Sequence, residues 1–362
     1  MHAHNASEAN HLDTNFSMPW FVYECTLELD VQYRRITLFL LYLLVFVAGL
    51  AENGLVVWVN WRRRHSRSAV TFCVLNVCLA DLVMVLVLPF YMLEVALHNV
   101  WLWGRALCKI SHLLYMANFY GGTFFLAYMA VERYLALVQP PPSWGPQEKR
   151  RRALVCGGLW ALALFLTVLE NVHVDLLEWD EPGCYMIPEH SYTEWYTTLT
   201  MLSIVFQFLL PGAVIITFNV LLARAVRSAP GVEGRRDTWV VHLYSLVFVL
   251  CYLPYHLIMV LLMVDELLPL AFSCNMMEFL YFSYSIMQCL SLFHCIANPI
   301  LYNFLSPAFR THLVNALLSH LSRTPAPTNQ LNANTNAKSA SPPVQEGREI
   351  QDSDTSHSDI VT

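Results

Sequence analysis

The chain has 362 residues, of which 56% are hydrophobic and only 13% charged, with a formal net charge of −6. Soluble domains carry about a quarter charged residues, so most of this surface cannot face water. A water-soluble domain is excluded, and no nucleic-acid partner is expected.

Residues 1–33 form a polar N-terminal segment. Met1 to Met18 lacks the apolar core of a cleavable signal peptide, so the first hydrophobic run is expected to direct insertion itself. Asn5-Ala-Ser7 and Asn15-Phe-Ser17 are glycosylation sequons. Long apolar runs then follow near Ile36–Val59, Val70–Met92, Leu107–Ala130, Ala153–Leu169, Thr197–Leu222, Val240–Val264 and Leu280–Leu301. About 20 apolar residues cross a bilayer core. These seven runs predict an all-α membrane protein, a seven-transmembrane helix bundle over residues 34–305. Residues 306–322 carry Phe309, Leu313, Leu317 and Leu321 at helical spacing, which predicts a short amphipathic helix against membrane lipid after the seventh span. No cysteine follows it to carry a palmitoyl anchor. Residues 323–362 read as a disordered cytoplasmic tail, rich in Ala, Asn, Ser, Thr and Pro. Near its end Ser353, Thr355, Ser356 and Ser358 form a candidate phosphorylation cluster that would add charge for arrestin to read.

Basic residues set the orientation. Arg62, Arg63, Arg64 and Arg67 follow the first span, Lys149 to Arg152 precede the fourth, and Arg224, Arg227, Arg235 and Arg236 separate the fifth from the sixth. Positive charge stays on the cytoplasmic side, which puts the N-terminus outside; Arg34 and Arg35 oppose this but are outnumbered. Of ten cysteines, Cys25, Cys108, Cys184 and Cys274 then lie outside. Four cysteines allow three pairings, and composition does not choose among them. The other six fall in spans and read as inert packing residues. The outer segments are acidic: Glu24, Glu28 and Asp30; then Asp175, Glu178, Asp180, Glu181, Glu189 and Glu194; then Asp265 and Glu266. Such a face steers a basic ligand.

Ionisable and amide groups inside spans are costly and point to function. Asn53, Asp81, Asn118, His294 and Asn298 are of this kind, and Glu132-Arg133-Tyr134 closes the third span. Their order is informative. Glu52-Asn53, Leu79-Ala80-Asp81, Glu132-Arg133-Tyr134, Trp160, Pro211, Cys251-Tyr252-Leu253-Pro254 and Asn298-Pro299-Ile300-Leu301-Tyr302 occur on successive spans. This set resembles the rhodopsin-like G-protein-coupled receptors over roughly Tyr33 to His320. The resemblance implies a receptor rather than an enzyme, and no nucleophile, metal cluster or phosphate loop speaks for an enzyme. It also implies an activation switch built from Asn53, Asp81, Glu132, Arg133, Tyr134, Tyr252, Pro254, Asn298, Pro299 and Tyr302, and a disulfide between Cys108 and Cys184.

Trp101-Leu102-Trp103-Gly104 ahead of Cys108 resembles the family's first outer loop, and further residues resemble the chemokine-receptor branch: Leu88-Pro89-Phe90, Tyr115, Asn118 and His294-Cys295. This likeness implies a second disulfide, Cys25–Cys274, and a ligand pocket at Tyr91, Glu94, Trp101, Tyr115, Glu170, Tyr255, His256 and Gln288. Gln288 stands where the branch usually has an acid. Retinal is excluded because no lysine lies in the seventh span, and Tyr115 occupies the position of an amine counter-ion.

The switch departs from the family at several points. Tyr252 replaces a tryptophan, Asn219 a tyrosine, and Gly122 a serine of the sodium pocket around Asp81, which argues against sodium there; no other cofactor is expected. Glu233 is out of register to lock Arg133, and Glu52 beside Asn53 is unusual. The expectation is a plasma-membrane receptor for chemokines or similar basic peptides that internalises ligand through arrestin and endosomes with weak or no G-protein signalling. The alternative is an ordinary peptide or chemokine receptor coupled to a heterotrimeric G protein.

Overall fold

A computed structural model describes residues 31–62, 69–139, 146–178, 181–188, 190–228, 234–269 and 271–305, together with Thr311 and Val314. The two sequons, Cys25, most of the amphipathic segment and the tail phosphorylation cluster lie outside the described residues. Helices α1 (Val31–Arg62), α2 (Ala69–Ala96), α3 (Gly104–Val138) and α4 (Pro146–Asn171) come first. A hairpin of β1 (Val174–Leu177) and β2 (Gly183–Met186) follows, then α5 (Tyr192–Ser203), a π-helical turn (Ile204–Leu209), α6 (Leu210–Ser228), α7 (Gly234–Leu267), α8 (Cys274–Ser291) and α9 (His294–Leu305). The predicted spans are all present, each extended by a few residues at its ends.

Among the described residues six helical stretches are long and apolar enough to cross a membrane; α3 is not one of them. The remaining span is α3, whose polar content lowers its hydropathy. It packs against α2, α4, α6 and β1, and buries Ser111, Asn118, Thr123 and Glu132. A helix enclosed by others has no need of a lipid-facing apolar surface. The outer helices show the opposite pattern: Leu40, Val47, Leu86, Leu154, Phe165 and Leu250 are exposed, as suits side chains meeting acyl chains.

Lipid gives helices no hydrophobic reason to associate, so close packing and interhelical hydrogen bonds hold the bundle. A side chain at Gly121 would meet the Trp160 ring at 3.1 Å, and one at Gly49 would meet Val85 at 2.9 Å. Both glycines let neighbouring helices approach. Asn76 Oδ1 accepts from the Trp160 indole at 3.0 Å, tying α2 to α4.

Proline sets the local irregularities. Pro211 has no N–H, and its ring crowds the carbonyl four residues back; that residue, Gln207, lies in the π-helical turn. Pro299 removes the donor that would have met the Cys295 carbonyl, and Asn53 Nδ2 takes that carbonyl at 2.7 Å instead. The run predicted as one continuous seventh span is divided: α8 ends at Ser291 and α9 starts at His294. Tight bonds from Leu292 N to Cys289 O (3.1 Å) and from Phe293 N to Leu290 O (3.0 Å) form the join.

Candidate functional site

Functional side chains fall in three layers along the bundle. At the end carrying the hairpin, Cys108 at the start of α3 is bonded to Cys184 of β2, with Cα atoms 5.7 Å apart. Leu176 of β1 pairs with Cys184 in the antiparallel ladder. Trp101 is buried beneath this bridge with Val174 and Leu176; its indole donates to the Gly104 carbonyl at 3.0 Å. Cys274 is also disulfide-bonded.

Aromatic rings continue inward from this cap. Tyr91 meets Trp101 and Tyr115, with centroids 6.2 and 5.8 Å apart, and Tyr115 stacks on Phe119 at 4.9 Å. Tyr255 lies 5.7 Å from Tyr284 and 6.1 Å from Phe119. Glu94 and Gln288 are half-buried. His256 is buried, with Nδ1 bonded to the Tyr252 carbonyl at 2.9 Å and its ring stacked on Phe208.

Of the acids expected at the open mouth, one is paired and another is buried. Asp175 bonds Arg105 at 2.9 Å and Lys109 at 3.1 Å. Burial works against its charge, but the Leu176 N–H, Lys109 and Arg105 outweigh that and hold its carboxyl below the usual range. Asp265 is 2% exposed. The open acidic face among the described residues is therefore narrower than the sequence implies, and Glu178, Glu181 and Glu194 are its exposed members.

Glu170 is turned into the bundle, buried, and accepts from the Tyr120 hydroxyl. Tyr120→Phe would leave this carboxyl without that donor. An unsatisfied buried polar group costs about 1–3 kcal/mol, so thermal unfolding of purified Tyr120→Phe in detergent should occur at a lower midpoint. Glu170→Gln, which still accepts a bond, should lose less. An unchanged midpoint in Tyr120→Phe would refute the pairing as a structural contact.

The middle layer is a polar core. Asp81 is fully buried and its Oδ1 accepts from Asn118 Nδ2 at 2.8 Å and from Cys295 Sγ at 3.4 Å. His294 Nε2 lies 3.2 Å from Asn118 Oδ1 and 3.6 Å from Asp81 Oδ1. Cys295, expected to be an inert packing residue, thus belongs to this cluster, because the break before α9 aims both His294 and Cys295 inward. Tyr252 sits above it, fully buried among Phe119, Phe248 and His294.

The third layer lies at the far end of α3. Glu132 accepts from Tyr128 at 2.6 Å and from Arg151 of α4 at 2.9 Å. Arg133 lies over the Tyr244 ring, 5.6 Å from its centroid. Tyr134 packs edge-on against Phe218. Asn219 Nδ2 donates to Ser245 Oγ, joining α6 to α7. The Tyr302 hydroxyl donates to Asn60 Oδ1 at 3.2 Å and lies 3.4 Å from the Thr71 hydroxyl. Asn298 is buried and its carbonyl accepts from Tyr244.

Sequence reasoning missed Arg151 as the partner of Glu132, because the basic run before the fourth span was read for topology alone. It also missed Tyr120 and Asn76, since an aromatic or amide inside an apolar run carries no sign of which helix it faces.

Seven helical spans, a hairpin bridged to the third, and a polar core linking the second, third and seventh spans define a transmembrane receptor architecture. The chain belongs to the rhodopsin family of seven-transmembrane receptors: the family model "7 transmembrane receptor (rhodopsin family)" matches residues 52–302. It is a multi-pass membrane protein. Among curated relatives it is 39% identical to the G-protein coupled receptor 182 of Rattus norvegicus over 99% of this chain and 86% of that one. The Homo sapiens G-protein coupled receptor 182 is 40% identical over 88% of this chain and 78% of its own length. Atypical chemokine receptor 3 of Canis lupus familiaris is 33% identical over 78% of this chain and 79% of its own.

Proposed function

We propose that this receptor stands at the plasma membrane with its N-terminus outside and binds chemokines or similar basic peptides at the hairpin end. It then carries them inward through arrestin and endosomes, with little or no activation of a G protein. The observation that carries this reading is the contrast between the two ends. A disulfide-braced mouth bears exposed Glu178, Glu181 and Glu194, whereas at the opposite end Asn219 is tied to Ser245 where the family places a tyrosine of its active state. Tyr252, in place of a tryptophan, further alters the switch. The likeness to atypical chemokine receptor 3 supports the same ligand class.

A bridge from Cys274 to Cys25 would hold the N-terminal segment, with Glu24, Glu28 and Asp30, across the mouth as a docking strand. Tyr91, Tyr115, Tyr255 and Gln288 then form the floor beneath it. Asn5 and Asn15 would carry glycans, and the Ser353–Ser358 cluster would recruit arrestin once phosphorylated. The intact Glu132-Arg133-Tyr134 stretch favours a second reading, ordinary G-protein coupling.

One experiment separates them: uptake of a panel of fluorescent chemokines by cells with and without the receptor, alongside a G-protein dissociation sensor. Receptor-dependent uptake with a silent sensor is the expected result. Uptake with a responding sensor establishes the second reading, and no uptake of any chemokine sinks the ligand class. Within the same assay, Cys25→Ser should reach the surface yet take up ligand about tenfold less at low concentration, the equivalent of 1.4 kcal/mol in binding. Unimpaired uptake would remove the docking strand from the account.

A further inference from the structure

In the polar core beneath Tyr252, acceptor atoms of Asp81, Asn118 and His294 face one another. The carboxylate of Asp81 accepts only, so Asn118 must present Nδ2 to it (2.8 Å) and Oδ1 to His294 (3.2 Å). The Ser291 carbonyl also accepts only, and it lies 2.6 Å from His294 Nδ1, which therefore carries the ring hydrogen. The lone pair of neutral His294 is thus on Nε2, facing Asn118 Oδ1 and Asp81 Oδ1, both acceptors. The Cys295 thiol hydrogen is already directed at Asp81 Oδ1, and Asp81 Oδ2, enclosed from solvent, has no hydrogen-bond partner. A carboxylate, an imidazole lone pair and an amide oxygen converge inside a membrane-spanning bundle, which calls for a cation between them.

Sodium, the ion this pocket is associated with in the family, does not fit these residues. Hard ions take oxygen ligands. The cluster's carboxylate and amide oxygens come from Asp81 and Asn118, Gly122 contributes no hydroxyl, and the remaining partners are a nitrogen and a sulfur. Imidazole and thiolate select a borderline-soft metal instead. Spacing agrees. Asp81 Oδ1, His294 Nε2 and Cys295 Sγ form a triangle with edges of 3.6, 3.5 and 3.4 Å. Zinc bonds of about 2.0–2.3 Å at tetrahedral angles separate ligand atoms by about 3.3–3.8 Å. The triangle has the size of one face of such a tetrahedron, and Asn118 Oδ1 lies 3.2 Å from its His294 corner. The Ser291 carbonyl on Nδ1–H is the kind of outer contact that orients a metal-bound histidine.

We propose that Asp81, His294 and Cys295, with Asn118, form a binding site for a divalent zinc-class ion that replaces the sodium site of the family. On binding, the Cys295 thiol releases its proton to solvent. The dipositive ion then balances one carboxylate and one thiolate, so the buried site is neutral. It also joins α2 and α3 to the first turn of α9, across the break in the seventh span.

The test uses full-length receptor purified in detergent, stripped with a chelator and dialysed against zinc. The expected result is one zinc per receptor by elemental analysis, a raised thermal unfolding midpoint, and no difference between sodium and potassium buffers. Cobalt in place of zinc should give a thiolate-to-metal charge-transfer band. Cys295→Ser should abolish the band and weaken zinc binding by more than about tenfold, and should make the midpoint sensitive to sodium. Asp81→Asn and His294→Ala should lose the zinc as well. A sodium-dependent midpoint in the unmutated receptor without bound zinc would return the site to the ordinary family ion. Zinc retained by both Cys295→Ser and His294→Ala would place the metal elsewhere. No response to either ion would mean that a proton on His294 supplies the charge. Each of these three outcomes overturns the proposal.

Discussion

Exchanging Cys108 or Cys184 for serine is expected to remove most of the folded receptor recoverable from membranes. The two cysteines are 76 residues apart in sequence. Closing a loop of that length restricts the unfolded chain by about 4–5 kcal/mol on the chain-entropy account. That is a large part of the roughly 5–15 kcal/mol by which folded proteins exceed their unfolded states. The bridge also anchors a small cluster of its own, since Trp101, Val174 and Leu176 pack around buried Cys108. Freed from α3, the hairpin keeps its own ladder, its packing on Trp101, the Trp101 N to Pro182 O bond of 2.7 Å and the Asp175 contacts to Arg105 and Lys109. Half-exposed ion pairs of this kind contribute at most about 1 kcal/mol, too little to replace the bridge. Because both substitutions break one bond, the double variant should be no worse than either single one. Monodisperse receptor after solubilisation, measured by fluorescence-detected gel filtration, reads the effect. Single variants recovered at the level of the unmutated protein would mean that packing alone holds the hairpin.

Asn219→Tyr should create or strengthen a G-protein response. In the family, the residue eight positions after the fifth-span proline is a tyrosine that meets Tyr302 and Arg133 in the active arrangement; eight residues after Pro211 this chain has Asn219. Its amide donates to Ser245 and it lines a cleft with Arg133, Tyr244, Ile215, Met129 and Leu126. Tyr302 meanwhile donates to Asn60 on α1 and meets the Thr71 hydroxyl on α2. A tyrosine at 219 would break the tie to Ser245 and bring a hydroxyl toward Arg133, favouring the active arrangement over the present one. A differential of 1–2 kcal/mol changes a two-state ratio by about 5–30-fold, and this is the gain expected in G-protein dissociation at saturating ligand. Asn219→Phe, which fills the same space without the hydroxyl, should not gain. Equal gains in both would assign the effect to size. A silent Asn219→Tyr in a receptor that still takes up ligand would show that position 219 does not limit signalling.

The architecture was legible because a bilayer imposes a length and a composition on every segment that crosses it. Even α3, whose hydropathy falls below that of the other spans, reads as a span from the apolar run Leu107–Ala130, with Glu132-Arg133-Tyr134 closing it. Asp81, His294 and Asn298 were singled out for the same reason: a polar group in an apolar run is costly unless something answers it. Which group answers it was not legible. Glu170 was assigned to the ligand pocket on likeness alone, yet its carboxyl meets Tyr120. Asp175 counted towards an open acidic face, yet Arg105 and Lys109 hold it. Cys295 was counted as packing until the join at Leu292 and Phe293 turned it towards Asp81.

The sequence by itself determined the helices, their order and the residues that are expensive where they lie, because these follow from local hydropathy and from the chemistry of single side chains in lipid. Only the tertiary structure decided the pairings: Arg151 with Glu132, Asn219 with Ser245, and the triangle of Asp81, His294 and Cys295. Each of these depends on the rotation of one helix against another, which is set by glycine contacts, proline-induced breaks and steric fit summed over the whole bundle.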